Sequence, residues 1–432
     1  MSSFWLSLPH PVLLALFVLI VYSLLKYIYR ITLHPLARFP GPPLARITSL
    51  YAASIDCGGT TSVVKLLPEW HRRYGPIVRV RPDELHVHDW HAYCQVFKAN
   101  TRFDKDPSFY ANPAVDGSFF QIPSAKDAKP LRDMFLPHFS KAKVDKLEPL
   151  VHEKLDFFLK KLEAEQDSVQ LDTAYSALTG DTAMHWTYQE SFGLMEAPGF
   201  RHKMLLDMDE MSYIMPPLWY FHRALGVFMA LIASLPKSIK RKYFPAVAAL
   251  DAIEATCRDR VLALAAKSED DREVPDSIFA TALHPNVEKG QRPLTPRELT
   301  AHACIMFLGG TDTTSNTLAF GTWHILQSPG ILTKLRKELD EAMPDAMKLY
   351  RQLDLERLSY LRAVIKESIR FSMGTSARLM RLTPTEGATF DGQYIPATTR
   401  ISFSNYVYKF DADVFEDPFV FRPERWLADD TR

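Results

Sequence analysis

Cysteine is scarce in this chain of 432 residues: four are present, at Cys57, Cys94, Cys257 and Cys304. They are too few and too scattered for a disulfide scaffold, and no two stand as Cys-x-x-Cys, the spacing of zinc and dithiol chemistry. The body is expected to face the cytosol. An excess of charge of one sign is also lacking. With 51 basic and 51 acidic residues the formal net charge is zero, which leaves no electrostatic footprint for nucleic acid, whose binding rests on neutralising phosphates. A nucleic-acid partner is therefore not expected. No Gly-x-Ser-x-Gly elbow occurs, which removes the commonest serine-hydrolase signature. Low-complexity linkers and internal repeats are missing as well, so residues 44–432 read as one domain. The composition, 47% hydrophobic and 24% charged, is that of a globular protein with a large core.

One long hydrophobic run is present. From Phe4 to Leu25 there is no formal charge, and Val12 to Leu25 is almost wholly apolar. As a helix the run spans roughly 33 Å, enough for a bilayer core of about 30 Å. Its positive charges follow the run, at Lys26, Arg30 and Arg38. That order predicts an uncleaved, single-pass anchor over residues 1–31 with the body in the cytosol. Phe39-Pro40-Gly41-Pro42-Pro43 cannot continue a helix, and residues 32–43 read as a stiff hinge.

Helical patterning dominates the body, with short extended segments expected at Ile77–Arg81, Leu85–His88, Ala388–Ile395 and Thr399–Phe403. The class is mainly α with minor β. Tyr213 to Pro245 is rich in aromatic and aliphatic residues and ends on Lys237, Lys240, Arg241 and Lys242. It reads either as a core helix pair or as a surface that dips into a membrane. Asp270-Asp271-Arg272-Glu273 hints at an acidic magnesium motif but sits in a charged stretch, and reads as a solvated loop.

The most informative stretch is Leu294 to Pro329. Thr295-Pro296-Arg297-Glu298 has capping-box spacing with proline at the first helical position, and Pro329 closes a run of helical residues. In its middle stands Gly309-Gly310-Thr311-Asp312-Thr313-Thr314, where each glycine costs about 1 kcal/mol against alanine. Two readings offset that cost: a close helix crossing, or a local opening of the backbone ladder for a small ligand, with an acid and a hydroxyl beside it to pass protons. A later helix carries Glu367 and Arg370, three apart on one face. Phe421-Arg422-Pro423-Glu424-Arg425-Trp426 then offers an arginine able to join that pair.

These features in this order resemble the membrane-bound cytochrome P-450 family of haem-thiolate monooxygenases, with the texture of its fungal biosynthetic members. The resemblance implies a cytochrome P-450-like fold, haem b as cofactor, and electrons from NADPH through NADPH-cytochrome P-450 reductase as partner. It implies a lipophilic small-molecule substrate such as a terpenoid or polyketide, membrane lipid as a second partner, and residence in the endoplasmic reticulum membrane. Residue by residue, Gly309 and Gly310 would flank the oxygen groove, and Asp312 and Thr313 would relay protons. Glu367, Arg370 and Arg425 would form a structural triad. Arg378, in Ser376-Ala377-Arg378-Leu379, and Arg132, seven residues before Phe139-Ser140, would hold the haem propionates. Around Arg132 the chain departs from the family, with Ala128 where Trp or His is usual and Pro130 within the expected helix.

Phe119, Phe120, Trp219 and Phe307 read either as pocket lining or as ordinary core. His86, His88 and His91 lie where the family has an edge of its small sheet, and read as sheet residues rather than a metal site. The family's axial cysteine stands in Phe-x-x-Gly-x-Arg-x-Cys-x-Gly, some tens of residues after Pro-Glu-Arg-Trp. The sequence ends at Arg432, six residues after Trp426. None of its four cysteines fits that pattern: Cys57-Gly58-Gly59 has the Cys-x-Gly ending, yet Leu50, Ala53 and Ile55 occupy the Phe, Gly and Arg positions. The alternative expectation is a non-catalytic, membrane-anchored relic or regulator that no longer binds haem as thiolate.

Overall fold

The computed structural model describes residues 10–110, 115–270, 277–285, 291–345 and 348–427. Its helices far outnumber its strands, and the chain packs as two compact units, Met1–Asp106 with Ala377–Val407, and Pro107–Ser376 with Tyr408–Arg432.

The first unit begins with helix α1 (His10–Thr32), in which no residue is buried and which alone among the described residues is long and apolar enough to cross a membrane. It runs past Leu25 because nothing before Pro35 interrupts a helix; residues 4–9 of the predicted run lie outside the described residues. The Pro-rich segment that follows is fixed rather than loose. Phe39 is wholly buried, the Pro40 carbonyl accepts the Arg79 amide at 2.7 Å, and a Cβ on Gly41 would stand 2.2 Å from the Arg79 carbonyl. Helix α2 (Val63–Tyr74) leads into strands β1 (Ile77–Arg81) and β2 (Glu84–Val87). Strand β3 (Leu379–Leu382), the hairpin β4 (Ala388–Phe390) and β5 (Gln393–Ile395), and β6 (Arg400–Phe403) complete the unit.

The main sheet has the order β1-β2-β6-β3, with β2 parallel to β6 and the other pairs antiparallel. Two expectations need correction. Ala388–Ile395 is a hairpin and not one extended segment, because Asp391 and Gly392 take positive φ (47° and 69°) and turn the chain. His86 lies inside the sheet rather than at its edge, on a strand whose four residues are all buried. Strand β3 was not expected; its pairing with β6 creates it.

The second unit is helical: α3 (Ala125–Phe135), α4 (Leu171–Tyr188), α5 (Lys203–Ser212), α6 (Met215–Ala233), α7 (Lys237–Tyr243), α8 (Pro245–Asp270), α9 (Pro296–Gln327) and α10 (Ser359–Ser372) are its main elements. Asp270 ends α8 as a helical residue, and Asp271–Glu273 lie outside the described residues. Tyr213–Pro245 is not a core helix pair: in α6 only Leu218 and Ile232 are buried, while Val227, Phe228 and Leu231 face outward. Phe307 is wholly buried core, Phe119 and Phe120 pack against that core, and Trp219 stacks on Phe109 at 5.3 Å.

Candidate functional site

Helix α9 forms as its sequence dictates. The Thr295 side chain accepts the Glu298 amide, the Glu298 carboxylate accepts the Thr295 amide, and 32 residues follow without interruption. The helix is continuous through residues 309–314. The two glycines divide the two readings between them. A Cβ on Gly310 would stand 2.7 Å from the Ala183 Cβ, so Gly310 is the close crossing of α9 with α4. A Cβ on Gly309 would meet nothing within 4 Å. The crossing is sealed from the α4 side by Gly180, whose Cβ would meet the Thr311 hydroxyl at 3.1 Å, and by the Thr179 hydroxyl, which donates to the Thr311 carbonyl at 2.9 Å.

Thr313 lies one turn beyond Gly309 on the same face and donates its hydroxyl to the Gly309 carbonyl at 2.8 Å. Phe320 and Trp323 continue this face at helical spacing and are exposed. Around the helix axis Asp312 lies about 100° from Thr313 and about 20° from Trp323, at the rim of the same face. It lines a cavity of about 110 Å³ with Asp172, Thr173 and Ser176 of α4, Leu205, Met208 and Asp209 of α5, and Ser315 and Asn316 of its own helix. Burial pushes the Asp312 carboxyl above its ordinary value; Asp209 is raised by burial and then by the charges of Asp172 and Asp312. The acid borders the cavity, while the alcohol bonds the backbone of its own helix.

The expected triad is assembled. Glu367 and Arg370 of α10 are buried and joined by two hydrogen bonds, of 2.8 and 3.0 Å. Arg425 donates from Nε to Glu367 Oε1 at 3.2 Å, and its NH1 reaches the Glu416 carbonyl at 2.9 Å. Arg370 also caps the carbonyls of Lys409 and Pro418, at 2.8 and 2.7 Å. Two donors escaped the sequence reading: the Trp426 indole, 2.8 Å from Glu367 Oε2, and the Arg422 amide, 2.9 Å from Oε1. Burial pushes the Glu367 carboxyl up, but the hydrogen bonds from Arg370, the Arg422 amide and Trp426 outweigh it and leave the group below its ordinary value.

The two arginines expected at haem propionates sit in different units. Arg378, buried in the first, donates to Glu84 at 3.0 Å and Asp56 at 3.1 Å, and Ser402 also bonds Glu84, at 2.8 Å. Neither carboxylate was singled out in the sequence, since both partners lie some three hundred residues away. Arg132, on α3, has its side chain 42% exposed and stands 3.8 Å from Asp133. Pro130 is accommodated inside this helix, which Ser124 caps.

Cys257 of α8 and Cys304 of α9 are buried; the hydrogen bond with Cys304, and burial after it, push the Cys257 thiol far up. Cys57 is exposed and raised by burial of its surroundings and by Asp56, and Cys94 is exposed. Among the described residues no group of three His, Cys, Asp or Glu side chains is placed to hold a metal ion.

Comparison with known proteins places these features in a family. The family model of cytochrome P-450 matches residues 42–432. The cytochrome P-450 monooxygenase aflU of Aspergillus parasiticus is 31% identical over 413 residues, covering 95% of this chain and 81% of that protein. The cytochrome P-450 monooxygenase pbrB of Penicillium brasilianum is 30% identical over 431 residues, 98% of this chain and 83% of its own. The cytochrome P-450 monooxygenase TRI4 of Trichoderma arundinaceum is 31% identical over 423 residues, 94% of this chain and 78% of its own.

Proposed function

The chain belongs to the cytochrome P-450 family, and from that premise we propose that it is a haem-dependent monooxygenase that oxidises a lipophilic small molecule in fungal secondary metabolism. The electrons come from NADPH through a membrane-bound reductase. The observation that carries this reading is the open face of α9, where Gly309 leaves room and Thr313 presents a hydroxyl.

Haem finds one wall among the described residues and lacks its ligand there. The face from Gly309 through Thr313 to Phe320 and Trp323 is open and carries exposed aromatics in its later part. A cysteine thiolate for the iron is not supplied by the four cysteines. When bound, the cofactor supplies the oxygen activation that protein side chains cannot perform. Everything else falls to the chain. Thr313 holds a proton donor at the open face, and Asp312, its neighbour on α9, brings protons to it. Arg132 is assigned to a propionate; Arg378 does not fit that role, being buried with its guanidinium already matched by the carboxylates of Asp56 and Glu84. The triad pins the segment 409–426 to α10.

Helix α1 anchors the body on the cytosolic side of the endoplasmic reticulum membrane. The outward apolar side chains of α6 and the basic α7 support contact with the same lipid. The test is the reduced, carbon-monoxide-bound spectrum of the complete protein together with product formation from NADPH, O₂ and reductase. The thiolate band is expected; its absence in folded, haem-loaded protein would overturn the proposal.

A further inference from the structure

The cavity behind Asp312 is the polar space that α4, α5 and α9 enclose together. Asp172 and Ser176 come from α4, Asp209 from α5, and Asp312, Ser315 and Asn316 from α9. Its 110 Å³ has room for a few water molecules at about 30 Å³ each, and its walls supply the polar partners that such waters need. The carboxyls of Asp172, Asp209 and Asp312 remain reachable from solvent. The walls are held in register by Ser176, whose hydroxyl donates to Ser315 at 3.0 Å, and by Ser315, which donates to the Asp312 carbonyl at 3.0 Å. Asp312 borders the cavity and is the chain neighbour of Thr313 on the open face of α9.

We propose that this cavity is the proton inlet of the site and that Asp209 hands the proton across it to Asp312. The inference rests on the proton-relay reading of Asp312 and Thr313. In the step, the O–H bond of the Asp209 carboxyl breaks and a new O–H bond forms on the Asp312 carboxylate, through cavity water. The Asp209 carboxylate then recovers a proton from bulk solvent, so that charge and protons balance and nothing is oxidised or reduced. Burial, and after it the charges of Asp172 and Asp312, raise the Asp209 carboxyl, and burial raises that of Asp312. Asp209 acts through Asp312 and is a positioning residue for proton delivery.

Two measurements on the full chain test this. In haem-free protein carrying ¹³C-labelled aspartate carboxyls, Asp312→Asn is expected to move the titration of Asp209 downward; an unmoved Asp209 would overturn the proposal. In the haem-loaded protein, Asp209→Asn is expected to cut product formed per NADPH by about tenfold and to raise the solvent isotope effect, a smaller loss than the roughly 10²- to 10⁴-fold of a group that transfers the proton directly. Asp209→Glu is expected to restore both, which a merely structural role would not do. Loss on Asp312→Asn with no change on Asp209→Asn would overturn the inlet while leaving the relay intact. No change on Asp312→Asn would remove the relay reading itself, and the inlet with it.

Discussion

Trp426 donates its indole N–H to Glu367 across 2.8 Å, which makes the last turn of the described chain a direct partner of a fully buried carboxylate on α10. Five donor groups converge on that carboxylate from Arg370, Arg422, Arg425 and Trp426. Removing the acid by Glu367→Ala leaves the buried Arg370 charge uncompensated, and about 3 to 5 kcal/mol of stability is expected to go. Trp426→Phe deletes one bond to a charged acceptor and should cost about 2 kcal/mol. Urea unfolding of the two variants, with haem content measured alongside, checks the order; equal losses would show that the triad does not act as one network.

Neighbouring glycines should respond in opposite directions. Gly310→Ala drives a methyl to 2.7 Å from the Ala183 Cβ, and overpacking of this kind costs about 1 to 3 kcal/mol. Gly309→Ala meets nothing within 4 Å and is expected to gain about 1 kcal/mol of helix propensity while narrowing the open face. Thermal melting of each variant, and of Gly310→Ala combined with Ala183→Gly, decides the matter. Failure of the second substitution to recover the melting temperature would remove the crossing as the reason for Gly310.

How much of this was legible depended on the range of the interaction. The capping box at Thr295 and Glu298 is local chemistry, so the start of α9 followed from four residues. Glu367 and Arg370 were readable for the same reason, and Arg425 became a partner through the resemblance. The Arg378 network was not readable, because Glu84 and Asp56 reach it only once β2 lies in its sheet. The strand β3 and the hairpin within Ala388–Ile395 were missed or merged because pairing partners and positive φ at Asp391 decide them, not propensity. The two glycines of α9 gave one signal in the sequence for two unrelated jobs, and only the position of Ala183 separates them.

Thr313→Ala tests the alcohol independently of stability. The hydroxyl is bonded to the Gly309 carbonyl on an exposed face, so its loss should change unfolding free energy by no more than about 0.5 kcal/mol. Oxygen consumption is expected to continue while peroxide replaces product. Peroxide and product counted per NADPH check this, and an unchanged product yield would contradict the role of Thr313 in proton relay.

A pair of buried imidazoles sets the acid limit of the first unit. His71 donates from Nδ1 to the Gly75 carbonyl at 2.9 Å, so its Nε2 must accept the Nδ1–H of His86 at 2.6 Å, and the buried Nε2 of His86 is left as a bare acceptor. A proton on His71 Nε2 breaks the bond between the rings, and one on His86 Nε2 puts a charge in a fully buried site. Burial lowers His71 to about 4, against the backbone bond that raises it, and burial with the charges of His71, Arg378 and His88 lowers His86 well below its ordinary value. The unfolded chain, with ordinary histidines near 6.5, therefore binds protons first as pH falls. Stability conferred by the neutral pair is complete above pH about 6.5 and is lost progressively down to about 4, at about 1.4 kcal/mol per pH unit for each group. Urea unfolding between pH 7.5 and 4.5, roughly the span of that titration, is expected to show the slope in the parent chain and a shallower one in His86→Phe with His71 retained. A slope unaltered by the substitution would place the acid sensitivity in carboxylates such as Glu367 instead.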